Sequence, residues 1–245
     1  MVNSIKNELL QQKKMQMKGN LYHYTQVNFA YNSNKMEGSR LSSDQTEMIF
    51  ETHSLFAENE MVKVDDIIEA ENHFKLFDYM LDHVDDTLDL EMIIKMNVIL
   101  KKNTTYESDP RYNVGGLKKY PNMIGIVNVM HTSSQEDVEK DMNALLRDYI
   151  SKKEVTIQDI IDFHLHFERI RPFGDGNGRV GRMIMFKECL KNNLIPFIIM
   201  DEDKPFYLRG LKEYDKDKQF LIETCLCEQD QYEEVFHRFL PKKTD

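Results

Sequence analysis

Apolar residues recur at three- and four-residue intervals over most of the chain, and each such stripe predicts an amphipathic helix. Ile5, Leu9 and Leu10 mark a short polar helix over 3–17, punctuated by Gly19-Asn20. A second helix runs from Leu21 towards Gly38, with Tyr24, Val27 and Tyr31 on one face and Phe29 beside them. Gly38 suits the left-handed residue that ends a helix. Ser42-x-x-Gln45 reads as a capping box opening a helix to about Phe56, with Met48 and Ile49 turned inward. Asp65 is placed to cap a helix striped with Ile67, Phe74, Phe77 and Leu81, and His73 within it reads as a hydrogen-bonded packing residue. Leu90, Ile93, Ile94 and Leu100 mark the next helix.

From Asn103 to Thr132 this period fails. Pro110, Gly115-Gly116, Pro121 and Gly125 interrupt short apolar runs at Met123-Ile124 and Ile126–Val129, a pattern for a loop and a β-hairpin. An exposed hairpin edge can pair with an extended peptide by strand addition, although an ordinary connecting hairpin has the same pattern. Helices resume at Ser133 or Ser134, with Val138, Met142, Leu145 and Leu146 inward. Thr156-x-x-Asp159 then opens a helix whose stripe is Ile157, Ile160, Ile161, His164 and Phe167, which makes His164 a core histidine. Val180 to Leu190 is apolar nearly all round apart from Arg182, Lys187 and Glu188, as expected of a central buried helix. Asn192-Asn193 end it, and an apolar connection, Leu194–Ile199, leads to a helix starting at Pro205. A last helix carries Leu221, Ile222, Cys225 and Leu226 ahead of a polar tail.

The pattern therefore predicts a mainly α protein in one domain over 1–245, a helical bundle with one small hairpin. Composition agrees, with 41% hydrophobic residues and 30% charged ones. The formal net charge of −10 argues against nucleic acid as a partner, because phosphate-backbone affinity needs a basic face. No apolar run approaches the roughly 20 residues that span a bilayer, and no signal-peptide pattern opens the chain, so a cytoplasmic location is expected. Cys189, Cys225 and Cys227 are too few and too clustered for a disulfide framework, and no second Cys/His pair stands at zinc spacing.

The chemistry concentrates between two of these helices. Arg171-Pro-Phe-Gly-Asp-Gly-Asn-Gly-Arg-Val-Gly-Arg182 holds four of the chain's 10 glycines. Gly176 and Gly178 can take positive φ freely, so successive N–H groups can converge where the next helix begins, an arrangement that binds anions. Asp175 offers a hard oxygen for Mg²⁺, Asn177 an amide, and Arg179 and Arg182 forked guanidinium groups for phosphate oxygens. A tight turn before a buried helix would account for the glycines alone. The glycines together with the Asp, Asn and Arg residues describe a nucleotide polyphosphate site.

Phe167 to Arg182 resembles the signature of the Fic family, His-Pro-Phe-x-Asp/Glu-Gly-Asn-Gly-Arg-x-x-Arg, at every fixed position except the first. The family's catalytic His is replaced by Arg171. The resemblance implies a Fic-fold helical bundle whose signature helix-loop-helix spans 156–192, without the winged helix that many relatives add. It implies a nucleotidyltransferase that moves AMP from ATP to a Ser, Thr or Tyr hydroxyl of a target protein or of itself. ATP would be held by Gly176, Asn177, Gly178, Arg179 and Arg182, with Mg²⁺ on Asp175. Tyr207 would line the adenine pocket, or be a half-buried aromatic. Within the N-terminal helices, 1–38, Ser33-x-x-x-Glu37-Gly38 resembles the family's inhibitory motif, whose Glu pairs with the second signature Arg, here Arg182; a plain surface helix is the alternative. Within 103–132, a flap over about 118–129, with Met123, Ile124 and Gly125, would position the target segment.

Arginine has no acceptor nitrogen when protonated and keeps its proton in proteins. The present chain is therefore expected to bind ATP but to transfer AMP poorly. A catalytically silent ATP-binding regulatory module is the alternative, and a scaffold that transfers phosphocholine or phosphate a third reading. A homo-oligomer is compatible with all of them.

Overall fold

The computed structural model describes residues 2–15, 18–57, 61–124 and 130–239. Among these, eleven α-helices are described, one of them buried and packed against by others. They are α1 (Val2–Met15), α2 (Leu21–Met36), α3 (Ser43–Thr52), α4 (Val64–Asp82), α5 (Leu90–Lys101), the one-turn α6 (Thr105–Ser108), α7 (Val138–Ile150), α8 (Ile157–Ile170), α9 (Asn177–Lys191), α10 (Lys204–Glu213) and α11 (Gln219–Phe239). Between α6 and α7, β1 (Met123–Ile124) and β2 (Met130–His131) pair antiparallel, Met123 opposite His131. Residues 125–129, including Gly125 of the expected flap, lie outside the described residues.

Helix α9 is central because its sequence leaves it no wet face. Every residue from Asn177 to Leu190 is buried, and the helix packs on α8, α5, α4, α2 and α1. Its polar exceptions are matched within the core. The Lys187 ammonium donates to the Asp86 carbonyl at 2.7 Å and to Glu188 at 2.9 Å, and Tyr149 donates to Glu188 at 3.0 Å. The capping boxes at Ser42 and Thr156 form with both reciprocal bonds, and they fix where α3 and α8 begin. Gly38, at φ +95°, turns the chain after α2.

Several expected boundaries shift. Asp65 does not cap α4, whose N-cap is Lys63, two residues earlier; the Asp65 carboxylate instead accepts from the Thr105 N–H, a tertiary bond that sequence spacing cannot show. Helix α3 stops at Thr52, well short of Phe56, because His53 takes the left-handed conformation and its N–H closes on Ile49. Ser134 makes a hydrogen-bonded turn with Asp137, and α7 begins only at Val138. His73 is fully buried with no hydrogen-bond partner on either ring nitrogen, edge-on to Phe29, so it is an apolar packing residue rather than a bonded one. Leu226 is exposed on α11. Among the described residues no helix is long and apolar enough to cross a membrane.

Helices α10 and α11 approach so closely at Gly210 that a Cβ there would lie 2.7 Å from the Leu221 Cα and 2.8 Å from its nitrogen. Backbone cannot yield as a side chain can. Overpacking outweighs the helix propensity gained from alanine, so Gly210→Ala is expected to destabilise the fold by about 2 kcal/mol and lower Tm by roughly 4–8 °C. A thermal melt followed by circular dichroism checks this, and an unchanged or raised Tm would mean that the two helices can separate freely.

Candidate functional site

The loop between α8 and α9 is held from three sides. Helix α8 ends at Arg171, which adopts the left-handed conformation (φ 48°, ψ 70°) with its N–H on the Phe167 carbonyl at 2.9 Å. Within the loop, Asn177 accepts from the Phe173 N–H and donates to the Phe173 carbonyl, both at 2.9 Å, so both ends of this amide are engaged in closing the turn. From α5, Asn97 donates to the Asp175 carbonyl at 2.9 Å. Gly176, at φ 83°, then starts α9 with no side chain capping it, and the first N–H groups of a helix have no intrahelical acceptor. The loop thus presents the uncapped N-terminus expected of an anion site.

The base of the hairpin is fastened to the same loop. The buried Lys118 ammonium donates to Asn122, to Thr132 and to the Ile170 carbonyl, each at 2.9 Å, and its N–H bonds the Pro172 carbonyl at 2.8 Å. Asn122 donates to the Phe173 carbonyl at 2.9 Å. Segments that flank β1 and β2 are therefore tied directly to the residues beside Arg171. Burial and the nearby Arg171 guanidinium lower the Lys118 ammonium to about 8.

Both signature arginines are buried and paired. Arg182 donates through Nε to Ser33 Oγ at 3.0 Å and through Nη2 to the Ser33 carbonyl at 3.1 Å and to Glu37 at 2.8 Å. Glu37 lies just past the last residue of α2, and a Cβ on Gly178 would overlap its carboxylate. Glycine at 178 is thus what lets this carboxylate reach the first turn of α9. Burial pushes the Glu37 carboxyl up, but the Arg182 and Arg179 guanidinium groups outweigh it and hold it below its ordinary range. Arg179 meets Glu69 at 2.5 Å, Asp175 at 3.1 Å and Asn34 at 3.2 Å. Tyr207, expected beside an adenine, is fully buried with its hydroxyl 2.6 Å from His164 Nε2. His164 is thus the core histidine which the helix pattern predicts, but only half satisfied, because its Nδ1, against Gly181, has no partner.

Lys101 and Glu168 are charged groups at the site that the sequence does not single out. Lys101, at the end of α5, is 1% exposed and pairs with both Glu69 and Asp175. A lysine at a helix C-terminus ordinarily suggests nothing more than a favourable dipole contact. Glu168 is buried with Oε1 unpartnered and Oε2 4.0 Å from the Arg171 guanidinium. Arg171 itself is one-quarter exposed and its Nε has no partner.

Burial raises the Glu168 carboxyl to about 7, against the pull of Arg171 and Arg182 and with some push from Glu37. His164 and Tyr207 complete the ionisable groups around it. Between its ordinary value of 4.5 and 7, the folded chain keeps a proton that the unfolded chain loses, so Glu168 costs stability as pH rises through that window. Glu168→Gln removes this cost. Relative to the parent, the variant should gain up to roughly 3 kcal/mol between pH 5 and pH 8. Urea melts at the two pH values measure it, and a pH-independent difference would refute the raised carboxyl.

For a metal, the donor set fits badly. Asp175 is the expected ligand, yet its Oδ2 already faces both Lys101 and Arg179, and Glu69 is paired to the same two cations. Burial alone would raise the Asp175 carboxyl, but Lys101 and Arg179 hold it below its ordinary range. Elsewhere, His23, Glu47 and Glu51 converge with Nε2 3.8 and 3.7 Å from the two carboxylates. There the Gly19 N–H donates to His23 Nδ1 at 2.8 Å, which leaves the ring proton on Nε2 and no lone pair for a cation.

Comparison with known proteins gives a consistent likeness. Residues 87–189 match the model of the Fic/DOC family. A Nematostella vectensis protein named "Protein adenylyltransferase Fic" is 25% identical over 187 residues, 75% of this chain and 42% of its own length. A "Probable protein adenylyltransferase" of Aquifex aeolicus is 34% identical over 67 residues, 27% of this chain and 20% of that one. The chain thus spans less than half the length of these two relatives. Among solved structures, a Fic domain containing signaling protein from Bacteroides thetaiotaomicron superposes with a TM-score of 0.74 at 21% identity, over 96% of this chain and 93% of that one. At that identity the likeness speaks for the fold alone.

Proposed function

With a Fic/DOC family domain at residues 87–189 as the premise, we propose that the chain is a protein adenylyltransferase held off by its own α2 and disabled at position 171. The observation that carries the reading is the bond from Arg182 to Glu37 across the uncapped start of α9. It supports the reading because it sets the carboxylate of Glu37 against a buried guanidinium at the uncapped start of α9, where phosphate is proposed to bind.

In the proposed reaction a protein hydroxyl attacks the α-phosphorus of ATP. A new O–P bond forms, the bond to the β-phosphate breaks, pyrophosphate leaves, and the hydroxyl proton needs an acceptor. The N–H groups at the start of α9 stabilise negative charge developing on the phosphate, and Arg182, once released from Glu37, holds its far end. The segment tied down by Lys118 and Asn122 sets where a target hydroxyl can lie. Mg²⁺ enters no step here, because its expected ligand is already paired with Lys101 and Arg179.

At the position of the family's base the chain carries no proton acceptor. Arg171 stands at the mouth of the loop and carries donors only. A silent ATP-binding module is the second reading, favoured by this same residue. Transfer of label from ATP labelled at the α-phosphate, to the chain itself or to an added lysate, separates the two. The parent, Arg171→His, and Arg171→His with Glu37→Gly are expected to label in increasing order. ATP binding without label in any of the three would leave the regulatory module.

A further inference from the structure

We infer that the Lys101 ammonium fills the cation position of this pocket, so that nucleotide binds here without a divalent metal. The inference rests on the nucleotide-site reading above and goes beyond it, to the charge that neutralises the phosphates.

Burying an ammonium is costly unless it is matched, and Lys101 is matched on every side. Its Nζ meets Asp175 and Glu69 and lies 3.9 Å above the centre of the Tyr106 ring. Arg179 bonds the same two carboxylates, so two anions and two cations form a closed neutral set. A metal on Asp175 would add two positive charges beside a lysine and an arginine already in contact with that carboxylate. Mg²⁺ also demands near-ideal octahedral oxygen geometry, with one or two protein carboxylates free to supply it. Among the described residues of the loop and the helix ends around it, Asp175, Glu69 and Glu37 are all bonded to a cation, and Glu168, whose Oε1 is unpartnered, faces the Arg171 guanidinium at 4.0 Å through Oε2.

Lys101 cannot simply swing away to admit a metal. Its Cε lies 3.3 Å from where a Cβ on Gly176 would stand, beside Asn97 and Leu100 from the same helix. The side chain is thus packed under the glycine that begins α9, and Asn97 fastens that contact through the Asp175 carbonyl. Retracting the ammonium would open the loop from α5. Held in this position, Lys101 offers a fixed positive charge beside the start of α9, on the carboxylate that would otherwise be free to hold a metal.

Calorimetric titration of the full chain with ADP, once in EDTA and once in excess Mg²⁺, tests this. ADP lacks the γ-phosphate that Glu37 would oppose, so no variant is required. The expected result is a Kd in EDTA within fivefold of that in Mg²⁺. For Lys101→Met, checked for folding by circular dichroism, the EDTA value should weaken at least tenfold and recover with Mg²⁺. A parent Kd that weakens fivefold or more in EDTA overturns the inference while leaving the nucleotide site standing, as does a folded Lys101→Met chain that binds like the parent in EDTA. If that variant does not fold, the parent pair alone decides. Absence of ADP binding at millimolar concentration in both buffers removes the nucleotide site itself, and this inference with it.

Discussion

Arg171→His is expected to raise transfer of α-phosphate label by roughly 10²–10⁴-fold over the chain as it stands, the usual contribution of a positioned general base. That corresponds to about 3–5 kcal/mol of transition-state stabilisation. The backbone is already suited to the change. Residue 171 holds φ at +48°, a region that histidine visits more readily than arginine, and its N–H on the Phe167 carbonyl does not depend on the side chain. An imidazole there would also inherit Glu168, whose Oε2 lies 4.0 Å from the present guanidinium and whose carboxyl sits near 7. In its ionised form that carboxylate favours the protonated imidazole once it has taken the hydroxyl proton, while burial, which raises the Glu168 carboxyl, works against it. Binding of ATP should change little, because the start of α9 and Arg182 lie outside the substitution. Initial rates of labelling, with ATP affinity measured alongside, check both halves. A folded Arg171→His chain that binds ATP and labels nothing would show that position 171 is not what silences the protein.

The parts of the fold legible in the sequence were those decided locally. The capping boxes at Ser42 and Thr156, the turn at Gly38 and the all-round burial of α9 follow from short-range bonds and a 3.6-residue period, and each is present. The parts that were not legible are decided by distant segments. Asp65 bonds Thr105 instead of capping its own helix, and α3 stops early at a left-handed His53 that no glycine announces. At the site, the signature displays the loop residues because they are adjacent in the chain. Glu69, Lys101, Lys118 and Glu168 enter only through packing. Glu69 and Lys101 belong to separate helices and acquire meaning only where α4, α5 and the loop converge. Lysine is a surface residue by default, so nothing local marks Lys101 and Lys118, which are buried at the site. The exposure of Tyr207 was likewise undetermined by its own helix, since it depends on the bond to His164 from α8.

Removing Glu37 from the Arg171→His chain should raise transfer by a further 10–100-fold or so, and the pairing of Arg182 sets that scale. A hydrogen bond between ionised groups contributes about 1.5–3 kcal/mol, and an incoming phosphate must break one such bond, Arg182 to Glu37, before it gains its own. Until it does, it also meets a carboxylate that the two guanidinium groups keep ionised. The sign for pH follows from that direction. The Glu37 carboxyl is held below its ordinary 4.5, so the pair is intact above that value and acidification within pH 6–8 cannot release it. Release must come from substitution, or from a movement of α2 that withdraws Glu37. Glu37→Gly removes charge and bulk together, whereas Glu37→Gln keeps the shape and removes the charge. Most of the gain should already appear with Gln if charge is the obstacle, and only with Gly if bulk is. Arg182 retains two bonds to Ser33 in both variants, so the loop should remain folded. Initial labelling rates and ATP affinity for the two variants, each on the Arg171→His background, decide the matter. Equal rates and equal affinity with and without Glu37 would reduce the Arg182–Glu37 pair to a structural contact and end the autoinhibition reading.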